Sequence, residues 1–189
     1  SLDEPPQGWA LVNRVDAKDA MAALLAGGGA AILGDEQAKA SWLADLPAGD
    51  AVRLTCGIAP QVDLGPNHLQ FAPQQVTVGV GCARNCPPQE LEDLVRAALS
   101  DAGVCDAAVH SVNTISLKAD EPAILDLAAS LDAPLRLFSA VELEAETPRL
   151  ATPSDVVFAE VGCHGVSEAA ALAQIGSDGT LWVQKRKTA

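Results

Sequence analysis

Tyrosine is absent from this sequence, and aromatic residues of all kinds make up 3% of it. Stacking of bases needs aromatic faces, so a single-strand nucleic-acid binder is not expected. Positive charge is also scarce: 12 Lys and Arg stand against 25 Asp and Glu, for a net charge of −13. Phosphate backbones are held by clustered cations, so no nucleic-acid partner is expected. The one basic run, Lys185-Arg186-Lys187, reads as a solvated tail. No apolar run reaches the roughly 18 residues that cross a bilayer, and the start lacks the charged-then-apolar order of a secretory signal. No membrane partner is expected, and the expected location is cytoplasmic. The chain opens at Ser1 without methionine and stops at "QKRKTA", which reads as a segment of something longer.

A disulfide framework is missing too. The cysteines, Cys56, Cys82, Cys86, Cys105 and Cys163, are odd in number and scattered. Cys82 and Cys86 have C-x3-C spacing, and Cys163-His164 would be needed to complete a zinc site. Structural zinc favours paired knuckles, and a histidine directly after its cysteine chelates poorly, so no metal site is expected.

What is present is a hydrophobic content of 49% over 189 residues, enough to bury a core in one domain or two small ones. "WALVNRV" reads as a strand, and Asp16 is placed to cap a helix "AKDAMAALLA" that ends at the Gly27-Gly28-Gly29 run. "AAILGD" reads as a strand, "EQAKASWLADL" as a helix and "AVRLTCGI" as a third strand. A second block starts with the strand "QVTVGVGC", followed by the loop "ARNCPP" and the helix "QELEDLVRAALSDAG", with Pro88 in its first turn and Leu91, Leu94, Val95 and Ala98 on one face. "AAVHSVNTISLKADEP", a strand running into a loop, the helix "AILDLAASLDA" and the short strand "PLRLFS" come next. A loop "EAETPRLATPS" then leads to a short helix "DVVFAEV" capped by Ser154, and "TLWVQKRK" reads as a closing strand. Strands separated by helices pair in parallel with helices over the sheet. The expected fold is α/β: two small three-layer domains, residues 1–73 and 74–189, each with a mostly parallel or mixed sheet flanked by helices.

Three stretches carry chemistry. "GVGCARNC" ends a strand and opens a helix, a place where backbone amides and the helix dipole favour an anion, with Arg84 beside it as a charge-assisted donor. It lacks the third glycine of a dinucleotide fingerprint and the acidic residue that follows one, so no nicotinamide cofactor is expected. "SLKADEP" sets Lys118 after a strand, either paired with Asp120 and Glu121 or standing as a cation at the mouth of the sheet. "VGCHGVSEAAAL" puts Cys163 and His164 between Gly162 and Gly165, with Ser167 and Glu168 opening a helix. A Cys-His dyad draws its members from distant positions, so the glycines read as turn requirements and the pair as pocket lining at most.

In this order and spacing, "VTVGVGCARNC", "SLKADEPAILDLAASLDAPLRLFSAVELE", "VGCHGVSEAAAL" and "LWVQKRK" resemble the cobalamin-biosynthesis family of CbiG and CobE. The resemblance covers about Gln75 to Lys187. The preceding block looks like the central domain of the longer CbiG members, and "ETPRLATPSDVVFAEVGCHGVSEAAAL" looks most like versions fused ahead of a precorrin methyltransferase. The family's N-terminal domain is absent from this sequence. The resemblance implies a role in corrin-ring construction: longer CbiG members open the δ-lactone of a ring-contracted cobalt-precorrin and release acetaldehyde. It implies a precorrin or cobalt-precorrin ligand, no cofactor beyond the cobalt such a substrate carries, and a fused or partner methyltransferase. For lactone opening, His164 is the candidate base, with Glu168 or Glu160 as alternates. The candidate ligand contacts are Gly79, Gly81, Cys82, Arg84, Lys118, Gly162, Gly165 and Ser167, and Arg136 and Arg149 are further members of a basic patch. Two rivals stand beside this reading: a non-catalytic carrier that hands an intermediate to the methyltransferase, and a thiol enzyme using Cys82 or Cys163.

Overall fold

The computed structural model describes residues 2–34, 42–62 and 64–188. The chain divides into two compact units: one runs to Gln74 and takes in Gly103–Ala108, and the other comprises Gln75–Ala102 and the chain from Val109 onward.

The first unit holds strands β1 (Trp9–Leu11), β2 (Ala30–Leu33), β3 (Val52–Cys56) and β4 (His68–Pro73), with helix α1 (Ala17–Leu25) between the first two. The sheet order is β1-β4-β3-β2, with β2, β3 and β4 parallel and β1 antiparallel to β4. β1 stops short of the expected Val15 because Asn13 leaves the ladder. Its side chain donates to the His68 carbonyl at 2.7 Å and accepts from the Gln70 N–H at 2.9 Å. Asp16 precedes α1 without capping it; its carboxylate instead accepts from Asn13 Nδ2 at 2.9 Å. Leu43, Val52, Leu54, Leu69 and Phe71 form the core, with Trp42 edge-on to Phe71 at 5.2 Å. The helix expected over "EQAKASWLADL" falls largely outside the described residues, and its described end, Trp42–Asp45, is a 3-10 turn.

The second unit is built on β5 (Val76–Gly79), β6 (Val109–Ile115) and β7 (Leu135–Phe138), ordered β5-β6-β7 and parallel throughout. The crossovers are α2 (Pro88–Asp101) and α3 (Pro122–Ser130), each with proline in its first turn, where the missing N–H costs nothing. They pack on each other, and Leu91, Val95, Leu99, Ile124 and Leu127 are buried. After β7 come α4 (Ala140–Glu144), α5 (Asp155–Val161) and α6 (Ser167–Ile175). Side chains alternate along a strand, so β6 serves both faces. Ile115 packs with Leu143, Cys163, Ala169 and Ala170 below α6, while α3 lies against the same strand.

Polar groups inside this sheet are satisfied. Asn113 Nδ2 donates to the Val78 carbonyl at 3.1 Å, Thr114 Oγ1 to the Val80 carbonyl at 2.7 Å and Thr77 Oγ1 to the Ala171 carbonyl at 3.0 Å. Together these bonds pin the carboxyl end of β5 to β6 and α6.

The loop expected from Glu144 is preceded by a helix, α4, whose start is closed by a reciprocal cap between Ser139 and Glu142. One further expectation changes. "TLWVQKRK" forms no strand: the Lys185 N–H meets Glu168 at 2.8 Å in place of a sheet edge. The Arg186 side chain pairs with Asp101 at 2.7 Å, and the Thr188 hydroxyl just beyond bonds Glu90. Ser154 caps α5 as expected, accepting from the Val157 N–H. Among the described residues, no helix is long and apolar enough to cross a membrane.

Candidate functional site

The carboxyl ends of the parallel strands in the second unit open into three loops. The first, after β5, carries Gly81, Cys82 and Arg84. Arg84 donates to Asp120 Oδ1 and to the Leu117 carbonyl, both at 2.7 Å, and lies 3.6 Å from Glu121 Oε2. Glu121 is 1% exposed and accepts the Asn85 N–H at 2.9 Å. The loop after β5 is thereby tied to the loop after β6. The pairing expected of Lys118 with Asp120 and Glu121 is made by Arg84, since Arg84 reaches across from the neighbouring loop. Lys118 forms no ion pair or side-chain hydrogen bond among the described residues.

The turn "VGCHGVS" closes over the same edge. Gly162 ends α5 with φ of 80°, a left-handed geometry that glycine adopts without penalty. A Cβ on Gly79 would lie 1.7 Å from the Ser167 carbonyl oxygen, one on Gly81 3.3 Å from Val166 Cγ1, and one on Gly165 3.0 Å from Leu150 Cδ1. Gly79 thus lets β5 meet the first turn of α6 backbone to backbone, while Gly81 and Gly165 make room for the Val166 and Leu150 side chains.

His164 sits in that turn with its ring stacked on Phe158, centroids 4.5 Å apart and planes 25° apart. Its backbone N–H donates to Glu144 Oε2 at 3.0 Å, and Nδ1 lies 2.9 Å from Glu144 Oε1. Nε2 is 3.4 Å from Asp155 Oδ1. The bonds from His164 hold the Glu144 carboxyl below the usual carboxylate range, against the burial that raises it. Glu144 and Phe158 were not anticipated: Glu144 is 20 positions away in sequence and no local pattern joins it to His164.

Glu168 is 4% exposed and accepts from the N–H groups of Ala151, Thr152 and Lys185 and from Thr152 Oγ1, at 2.8 to 3.0 Å. Burial pushes its carboxyl up, but the four donors together outweigh it and hold the group low. Its oxygens are thus occupied in joining α6 to two other segments. Glu160 is exposed on α5. Cys163 is 0% exposed, its thiol raised by burial, and Cys82 is pushed up to about 11, first by burial and then by Cys86 and Glu121. Neither is poised as a thiolate nucleophile near neutral pH. Arg136 lies near the amino end of β7, opposite Asn113. Arg149 donates to the carbonyls of Gly176 and Gly179, past the carboxyl end of α6, so it does not join the edge where Arg84 and Lys118 meet. Among the described residues, no group of three or more His, Cys, Asp or Glu could hold a metal ion.

In parallel α/β units small-molecule sites collect outside the carboxyl ends of the strands, the edge from which the loops bearing Arg84 and Lys118 leave. The chain belongs to the family described as Cobalamin synthesis G C-terminus, which matches residues 76–189. It is 44% identical over 110 residues to Protein CobE of Sinorhizobium sp, spanning 58% of this chain and 71% of that protein. It is 32% identical over 122 residues to the Cobalt-precorrin-5A hydrolase of Priestia megaterium, spanning 65% of this chain but 32% of the hydrolase. The crystal structure of CobE, a protein from the cobalamin (vitamin B12) biosynthetic pathway, superposes with a TM-score of 0.56 at 35% identity, covering 61% of this chain and 84% of that one. The protein is a cobalamin-biosynthesis protein related to CobE and to the cobalt-precorrin-5A hydrolases.

Proposed function

We propose that the second unit binds a precorrin-type tetrapyrrole at the carboxyl edge of β5, β6 and β7, and that in the longer protein this site serves the opening of the cobalt-precorrin-5A lactone with loss of acetaldehyde. The observation that carries the reading is that Arg84 joins the loop after β5 to the loop bearing Lys118 through Asp120 and the Leu117 carbonyl, while Gly81 of the first loop lies against Val166 of the His164 turn. A precorrin is a plane bordered by carboxylates. Lys118, Arg84 and the first-turn N–H groups of α6 suit those carboxylates, and repulsion from the overall net charge of −13 is screened beyond about 8–10 Å at ordinary salt.

Lactone opening needs a base for water and a donor for the oxyanion. His164 is the residue of choice for the base, because Glu168 has its oxygens bound within the fold and Glu160 stands apart on α5. Lys118 supplies the positive charge. Cobalt enters only as part of the substrate.

The second reading is a non-catalytic carrier that passes a precorrin to a fused or partner methyltransferase; the chain spans 71% of CobE and 32% of the hydrolase. One experiment separates the two. The chain is titrated with cobalt-precorrin-5A by visible absorption, and acetaldehyde is then assayed. Saturable binding with acetaldehyde supports the hydrolase, binding without acetaldehyde supports the carrier, and no binding sinks both for this chain.

A further inference from the structure

Glu144 closes α4 and is the acceptor for both donors that His164 turns toward it. Its Oε2 takes the His164 backbone N–H at 3.0 Å, and its two oxygens lie 2.9 and 3.0 Å from Nδ1. Thr147 Oγ1 donates to the same carboxylate at 3.0 Å. An ionised carboxylate only accepts, so the ring nitrogen facing it must carry hydrogen. In the neutral imidazole the other nitrogen, Nε2, is then the one with a lone pair. Phe158, stacked at 4.5 Å, covers one face of the ring and restricts its rotation.

The geometry points to Glu144 as a positioning residue: assisted by Phe158, it fixes His164 in the Nδ1–H form and leaves Nε2 to take the proton. This deepens the hydrolase reading and rests on it. In the step served, water gives one proton to Nε2 as its oxygen bonds to the lactone carbonyl carbon, and the carbonyl electron pair moves to oxygen. That pair returns as the ring C–O bond breaks, and the proton on Nε2 passes to the departing oxygen. The product is a carboxylic acid and an alcohol, with no other reactant. When protonated, Nε2 faces the exposed Asp155 carboxylate at 3.4 Å. A purely structural role, tying α4 to the turn through the backbone N–H, requires no particular ring tautomer.

The test pairs the 15N spectrum of the His164 ring with kinetics on cobalt-precorrin-5A. The wild-type ring is expected to carry its neutral-state proton on Nδ1. Glu144→Ala is expected to move it toward Nε2 and to lower kcat about 100-fold, the scale of a lost acid–base catalyst, with KM little changed. Glu144→Gln keeps an oxygen that can accept both donors and is expected to retain the tautomer and recover most of kcat. A wild-type ring protonated on Nε2, a spectrum unchanged in Glu144→Ala, or equal losses in both variants overturns the assignment. Should Glu144→Ala fail to fold, the wild-type spectrum and Glu144→Gln decide it. Absence of turnover by the wild type would remove the hydrolase reading, while the ring spectrum still judges the positioning.

Discussion

The carbonyl oxygen of Ser167 occupies the space where a side chain on Gly79 would begin, 1.7 Å from the ideal Cβ position. The end of β5 and the first turn of α6 are therefore in direct backbone contact, and this contact sets the distance between the loop after β5 and the His164 turn. Helix and strand approach this closely only where one side has no side chain.

Gly79→Ala is expected to force the two elements apart and to destabilise the fold by about 1–3 kcal/mol, the range for overpacking a close contact. Gly65, with open space at its Cβ position and no left-handed φ, is the control; Gly65→Ala should change stability by less than about 0.5 kcal/mol. Urea midpoints of the two variants check this, and equal midpoints would contradict the contact.

Glu168 provides a pH-dependent term. Its folded-state value is held down by its donors, so the stability it contributes is complete above the ordinary carboxyl range and is lost as pH falls through the lowered folded value. Glu168→Ala leaves four donors without their acceptor and is expected to cost about 2–4 kcal/mol at neutral pH. Chemical unfolding from neutral pH to about pH 3 should show a steeper acid loss in the wild type than in the variant.

The thiols should react in a fixed order. Cys82, pushed up to about 11, is expected to alkylate slowly at neutral pH and faster as pH rises toward that value. Cys163, fully buried and also raised by burial, is expected to react only on unfolding. Mass spectrometry after timed iodoacetamide exposure reads both. Rapid labelling of Cys82 at neutral pH would reopen the thiol-enzyme reading.

Lys118 and Arg84 should separate by variant. Lys118 has no partner to lose among the described residues, so Lys118→Ala is expected to weaken binding of cobalt-precorrin-5A about tenfold without shifting the unfolding midpoint. Arg84→Ala also releases Asp120 and the Leu117 carbonyl. It is expected to weaken binding and to speed hydrogen exchange at the Asn85 amide, which donates to Glu121 in the loop that Arg84 braces. Rising salt should weaken wild-type binding more than that of either variant.

Much of the second unit was readable in advance. Pro88 marks a helix start, the apolar spacing of Leu91 and Val95 gives α2 its buried face, and Ser154 announces α5. Strands divided by helices implied the parallel pairing that β5, β6 and β7 adopt. β4 went unread because Gln70 and His68 interrupt its hydrophobic pattern and Pro73 closes it. Gln70 is nevertheless buried, its amide donating to the carbonyls of Gly57 and Ala59. "TLWVQKRK" looked like a strand by residue preference, but β propensity is realised only where a sheet edge is free to pair, and its Lys185 N–H is taken by Glu168.

Local chemistry accounts for what the chain alone determined: caps, proline starts, glycine turns, strand and helix periodicity, and the family to which residues 76–189 belong. Those properties depend on neighbours a few positions apart. Tertiary structure alone decided that Arg84 rather than Lys118 meets Asp120, that Glu168 joins three segments, and that Glu144 faces His164 across 20 positions. Each is a bond between side chains and distant partners, and its formation depends on which loops the folded sheet places within about 3 Å of each other, the reach of a hydrogen bond.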